Sequence, residues 1–339
     1  MSRCRREFLA TLARGACAGF VGIATTSCEQ PGAEPDAIPE PQAVLGAEQA
    51  HPVLVRLRAR ILDRLMPGAA PIEVAHAALG LDRPTSRRHG LSILADSRAR
   101  AAWGQDVPRS GTIAHRHAEF HPGQLLAYLL ASSIVRVDDA LEGGTVASVA
   151  ARLLQRADDD VGHLLVLASH CIEQLQSSGD QLRDFAALAD ALVHRTVDQR
   201  LGADVCWGLH AAEGLGVLDH LLGLRWTASL SGAVRSWVSE LLEPHFDSVR
   251  SRTPSFRPSR YGSFPPEQRA SYLGHLLSTT ARLRGSGHLR VPRSALGIAA
   301  AASLSDGAWD ETREIAALGH ACHGLERWFK LSEFSEGRR

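Results

Sequence analysis

The chain has 339 residues, with 37 basic and 37 acidic side chains and a formal net charge of zero. It holds no basic tract of the kind a nucleic-acid surface needs, which sets that partner class aside. After Cys28 only Cys171, Cys206 and Cys322 remain, too few and too far apart for a disulfide framework.

Residues 1–28 read as a targeting segment: Arg3, Arg5, Arg6 and Arg14 precede a weakly apolar stretch rich in Gly and Ala. The stretch is too short to span a bilayer, which takes about 20 apolar residues. Cys4-Arg5-Arg6-Glu7-Phe8-Leu9-Ala10 resembles the twin-arginine export consensus, with Arg5 and Arg6 as the paired arginines. Ala24-Thr25-Thr26-Ser27-Cys28 reads as a lipoprotein cleavage box with Cys28 as the lipidated residue. Residues 29–47 carry Pro31, Pro35, Pro39 and Pro41 among acids and small side chains, the composition of an extended tether. These features predict a chain exported by the twin-arginine translocase to the periplasm and held at the membrane by a lipid. Without residues 1–28 the formal charge becomes −3.

Residues 48–335 read as a single helical domain. Val53, Leu54, Leu57, Ile61 and Leu65 form one helical stripe, ended by Pro67-Gly68. Pro71 to Leu79 is a short helix closed by Gly80, and Leu91 to Trp103 is another. Pro122 opens a helix through Leu130. Thr145, as N-cap, begins a helix to Ala157. Asp160 to Leu175 follows, with Asp158, Asp159 and Asp160 at the positive end of its dipole. Further helices run from Asp184 to Gln199, Cys206 to Leu222 and Ser231 to Leu242. Residues 251–266 form a Pro-rich loop. Helices resume at Glu267 to Arg284, Arg293 to Ser303, Trp309 to His320 and Leu325 to Phe334. No strand run stands out. The fold class is therefore all-α: antiparallel helical hairpins arranged as an α/α toroid or toroid-like solenoid.

Three stretches carry chemistry. In His115-Arg116-His117-Ala118-Glu119-Phe120-His121-Pro122, an extended chain puts His115, His117, Glu119 and His121 on one side. Three imidazoles and a carboxylate suffice to hold Zn²⁺ with a position open. On a helix, Cys206, His210 and Glu213 share a face. In His320-Ala321-Cys322-His323-Gly324-Leu325-Glu326, Glu326 follows Cys322 by one turn. The expected metal ligands are thus His115, His117, His121, Cys206, His210, Cys322 and His323. Glu119, Glu213 and Glu326 are the expected catalytic carboxylates. Cys206 and Cys322 also have a plain reading as buried thiols. His163 and His170, seven apart on one helix, fit the lining of a cleft, with core or surface positions the plainer reading. His194, His220, His245, His275 and His288 have no partner within reach by sequence.

The pattern His117-x-Glu119-x-His121-Pro122-Gly123-Gln124-x-Leu126-Ala127-Tyr128 resembles a family of uncharacterised exported bacterial proteins. Cys206 beside Trp207, and Cys322-His323-Gly324, resemble the zinc motifs of lanthionine synthetase C-like proteins, although here Trp207 follows the cysteine. That second resemblance implies an α/α toroid and zinc.

The leading expectation is a zinc-dependent hydrolase or lyase of the cell envelope. One alternative is a non-catalytic ligand-binding or scaffold lipoprotein. Another is a metal-free carbohydrate-active enzyme, which needs two carboxylates, from Glu119, Glu213, Asp219 and Glu326, facing across one cleft.

Overall fold

The computed structural model describes residues 47–82, 85, 121–141, 144–156, 160–204, 206–247, 255–256, 264–286 and 314–336. All belong to one compact unit, Pro41–Arg339. The targeting segment, the tether up to residue 46, the helix expected at 91–103, the run 115–120 and the helix expected at 293–303 lie outside the described residues.

The described chain is mostly helical. Its α-helices are α1 (Ala47–Arg64), α2 (Pro71–Gly80), α3 (Gln124–Ala131), α4 (Val146–Leu154), α5 (Gly162–Leu175), α6 (Gly179–Gln199), α7 (Leu209–Leu222), α8 (Ala228–Leu242), α9 (Pro266–Gly285) and α10 (Ile315–Glu336). Two short antiparallel pairs join them: β1 (Ala140–Leu141) with β2 (Gly144–Thr145), and β3 (Phe246–Asp247) with β4 (Ser255–Phe256). At two residues each, these strands are too short for periodicity to reveal. None of the described helices is long and apolar enough to cross a membrane.

Several boundaries have clear local causes. Thr145 caps α4 as expected, its hydroxyl accepting from the Ser148 N–H at 3.2 Å. The helix expected from Pro122 begins two residues later, because Gly123 takes a left-handed φ of 76° at the N-cap. The helix expected from Cys206 begins at Leu209, because Gly208 at φ 77° occupies the N-cap of α7. The two helices expected at 309–320 and 325–334 meet in the single helix α10. Its glycines do not break it, because tertiary packing outweighs their modest helix penalty.

Six helices touch in sequence around the site: α2 on α3, α3 on α5, α5 on α7, α7 on α9, α9 on α10, and α10 again on α2. The other four pack on these: α1 on α10, α4 and α6 on α5, and α8 on α7. The glycines of α9 and α10 set how closely the first group approaches. A Cβ on Gly319 would lie 2.1 Å from the His76 carbonyl oxygen, and one on Gly274 only 2.3 Å from the His320 carbonyl carbon. Only glycine permits such backbone contact. Three of the residues at or beside these contacts are His76, His275 and His320.

Candidate metal centre

The contacts between these helices turn histidines inward, where they form a connected group. His121 stacks on His163 with ring centroids 4.8 Å apart and planes 13° from parallel. His163 lies 4.2 Å from His210, His210 lies 4.7 Å from His275, and His275 lies 3.7 Å from His320. His76 closes the series 5.1 Å from His320. Tyr128 reaches into the middle, with its hydroxyl 3.1 Å from His163 Nε2 and 3.3 Å from His320 Nε2. Gln124 Nε2 donates to that same hydroxyl at 3.1 Å.

Burial keeps His76, His163, His210, His275 and His320 neutral. Taking an imidazolium out of water is costly, so His163, His210 and His320 titrate well below the usual imidazole range. Neighbouring histidines push in the same direction. His76 and His275 are lowered to about 4, again chiefly by burial. Each of these two also donates its Nδ1–H to the carbonyl one turn earlier, Ile72 O and Ser271 O, both at 2.7 Å. That bond fixes the tautomer and leaves each Nε2 with a bare lone pair.

Several ring nitrogens have no partner at all. Both nitrogens of His210, Nδ1 of His163 and Nε2 of His275 are buried and without a hydrogen bond. A buried polar atom left unpaired costs about 1–3 kcal/mol, so four on three neighbouring rings call for a cause. A metal ion is the natural one, since a neutral imidazole nitrogen is its commonest protein ligand. Two groups have ligand atoms within 4.8 Å of one another: His163 with Cys206 and His210, and His121 with Asp160 and His163. Either can hold a metal ion.

Cys206 reaches the group from a strained turn. Cys206 and Trp207 have φ of 46° and 57°, in the left-handed region that side chains other than glycine disfavour. The turn is pinned from behind. His245 donates its Nε2–H to the Trp207 carbonyl at 2.9 Å, and Tyr272 O–H donates to His245 Nδ1 at 2.8 Å. The Trp207 ring packs edge-on against Tyr272, with centroids 5.1 Å apart. Cys206 therefore approaches His210 without lying on α7, which corrects the expectation of a shared helical face. Burial pushes its thiol up to about 12, so an ion must displace the thiol proton to bind there.

The other end of the site is ionic. Glu213, almost fully buried, accepts from Arg327 Nη1 at 2.9 Å and Arg282 Nη1 at 3.1 Å. Arg282 also bonds Glu173 at 2.6 Å, and His170 lies 3.3 Å from the same carboxylate. Burial alone would raise the Glu213 pKa, but the two guanidinium groups hold it far below the carboxylate range. A small cleft, partly open to solvent, runs between the two ends past Tyr128, His210, His275 and Arg327.

The expected site residues fall in different places. His121, Cys206 and His210 belong to the metal-competent groups, and Glu213 and His323 line the cavity. Cys322 lies instead toward α2, where a Cβ on Gly80 would come within 3.0 Å of it. Glu326 pairs with Arg58 of α1 at 2.9 Å, and Asp219 pairs with Arg235 at 3.0 Å. Among the described residues, then, neither of these carboxylates faces Glu213 across the cavity. His115, His117 and Glu119 lie outside the described residues. Sequence reasoning missed His76, Asp160, His163, His275 and His320. A signal was present: Gly162-His163, Gly274-His275 and Gly319-His320 repeat one dipeptide.

No known protein family matches this chain, and neither does any curated protein or solved structure.

Proposed function

We propose that this chain is an exported metalloenzyme of the cell envelope, a zinc-dependent hydrolase or lyase. The observation that carries the reading is the group His163, Cys206 and His210, with its ligand atoms within 4.8 Å of one another and both His210 nitrogens unpaired. Three nitrogen and sulfur ligands with a position left open are the pattern of a catalytic zinc site. Zinc bound there supplies a Lewis acid and a water activated at neutral pH.

The chain's own residues fit the remaining roles. His275 offers a bare Nε2 beside His210 as a hydrogen-bond acceptor for a bound substrate. Tyr128, between His163 and His320, offers an O–H that can pass a proton to a leaving group. Glu213 is too weakly basic for that work and instead anchors Arg282 and Arg327.

In the same reading the six mutually packed helices close as an α/α toroid, with the imidazoles lining its lumen. Arg5 and Arg6 direct export through the twin-arginine translocase, and Cys28 carries the lipid anchor. That route carries folded proteins, which suits a metal loaded before export.

Elemental analysis of the purified mature protein, beside a C206S/H210A variant, tests the proposal. Stoichiometric zinc, lost in the variant, supports it. Cleavage of small ester or amide substrates should then stop on chelation and return with zinc. A folded wild-type protein that takes up no zinc overturns it.

A further inference from the structure

The two metal-competent groups are not independent, because both use His163. We propose that His163 serves two ions at once: one with Cys206 and His210, the other with His121 and Asp160. The inference rests on reading the His163–Cys206–His210 group as a metal site, and adds a second ion beside it.

Geometry supports the sharing. The His163 ring is fully buried and lies between two other imidazoles, His121 at 4.8 Å and His210 at 4.2 Å. Its Nδ1 has no hydrogen-bond partner, and its Nε2 faces only the Tyr128 hydroxyl. Tyr128 has His320 Nε2 as an alternative acceptor at 3.3 Å, so releasing His163 does not strand the phenol. On the far side, Asp160 Oδ2 lies 2.5 Å from His121 Nδ1. A carboxylate beside a ligating imidazole either joins the coordination or orients the ring and raises its basicity.

The elements agree. Asp160 and His163 straddle the start of α5, and Gly123 lets the turn bearing His121 close against that helix. A Cβ on Gly123 would sit 3.0 Å from a Leu164 methyl.

The two ligand sets differ in character. Thiolate and imidazole make the first comparatively soft, while carboxylate and imidazole make the second harder. A neutral imidazole has one lone pair and one N–H. Binding both ions through its two nitrogens displaces that proton, which leaves to water as the second ion binds. The product is a bridged pair of divalent cations, with Cys206 and Asp160 supplying one negative charge to each.

Cobalt(II) titration of the metal-free mature protein distinguishes the two sites, because only a thiolate ligand gives an intense sulfur-to-cobalt charge-transfer band. The expected result is two equivalents bound. C206S should keep one equivalent and lose the band. H121A/D160N should keep one equivalent and the full band. D160N alone, nearly isosteric, should weaken the second equivalent at least tenfold, with circular dichroism checking the fold of each variant. A wild-type protein that binds one equivalent, or folded H121A/D160N protein that still binds two, overturns the shared site and leaves the first reading standing. One equivalent with no thiolate band, lost in H121A/D160N, instead overturns the first reading, and with it the bridge. No bound cobalt at all overturns both.

Discussion

The two ends of the cavity treat buried polarity in opposite ways. Around Glu213, both flanking arginines reach the carboxylate, and Arg282 goes on to Glu173. Around His163 and His210, ring nitrogens are buried with nothing to bond. A satisfied network holds helices together and specifies their packing. An unsatisfied one lowers stability and persists only where something else completes it. The contrast lies within one part of the fold: the ionic end locks α5, α7, α9 and α10 together, while the imidazole end keeps buried nitrogens unpaired.

The largest expected effect is acid destabilisation. His76, His170 and His275 titrate at about 4 in the folded protein, against 6.5 for an ordinary imidazole. The folded-state values are depressed, so the unfolded chain takes up protons first as pH falls. Stability from these groups is complete above about pH 6.5 and is lost progressively down to about pH 4. Each contributes up to about 1.4 kcal/mol per pH unit in that window. Thermal melts of the metal-free protein from pH 8 to pH 4 should show a fall of several kcal/mol. A flat profile would mean that these rings are hydrated and not buried.

Next in size is Arg327→Met, which takes one of two partners from a buried carboxylate. Breaking a buried pair costs about 3–5 kcal/mol, and the remaining Arg282 places this change near the lower figure. Urea unfolding measures it, and adding Glu213→Gln should recover part of the loss. A cost below about 1 kcal/mol would place the ionic end outside the scaffold.

Gly274→Ala should cost about 1–3 kcal/mol by overpacking α9 on α10. It should also lower activity with zinc retained, because His275 moves while His163, Cys206 and His210 stay in place. Zinc lost from the folded variant would show that His275 or His320 belongs to the ligand sphere.

The smallest change in stability is expected from His210→Leu, and its sign sharpens the contrast. Removing two unpaired buried nitrogens is neutral or stabilising by about 1 kcal/mol in the metal-free protein, while metal binding is lost. A destabilised metal-free variant would show that His210 is part of the scaffold after all.

Much of the helical framework was legible, because apolar spacing and end signals are local. Thr145, Pro67-Gly68 and Gly80 mark ends where the structure has them. The site was less legible, because its residues come from helices far apart in sequence. His275 had no chemical neighbour along the chain and His163 only His170, two turns on, so each read more simply as ordinary core. Only the glycine before each, which brings a helix against its neighbour, hinted at their placement. Glu326 misled for the converse reason: one turn from Cys322, it turns to Arg58 of α1. Cys206 and His210 do belong together, but a left-handed turn joins them where a helical turn was expected. Positive φ at Cys206 and Trp207 has no signature in side chains of that kind.

Helix α10 is made after every other described element, yet it packs on α1 and α2, made first. Its Arg58–Glu326 and Tyr128–His320 bonds span 268 and 192 residues. Until it arrives, Glu213 lacks one of its two guanidinium partners and the imidazole group lacks His320. The cavity wall, lined in part by His320, His323 and Arg327, is complete only once this last described helix docks.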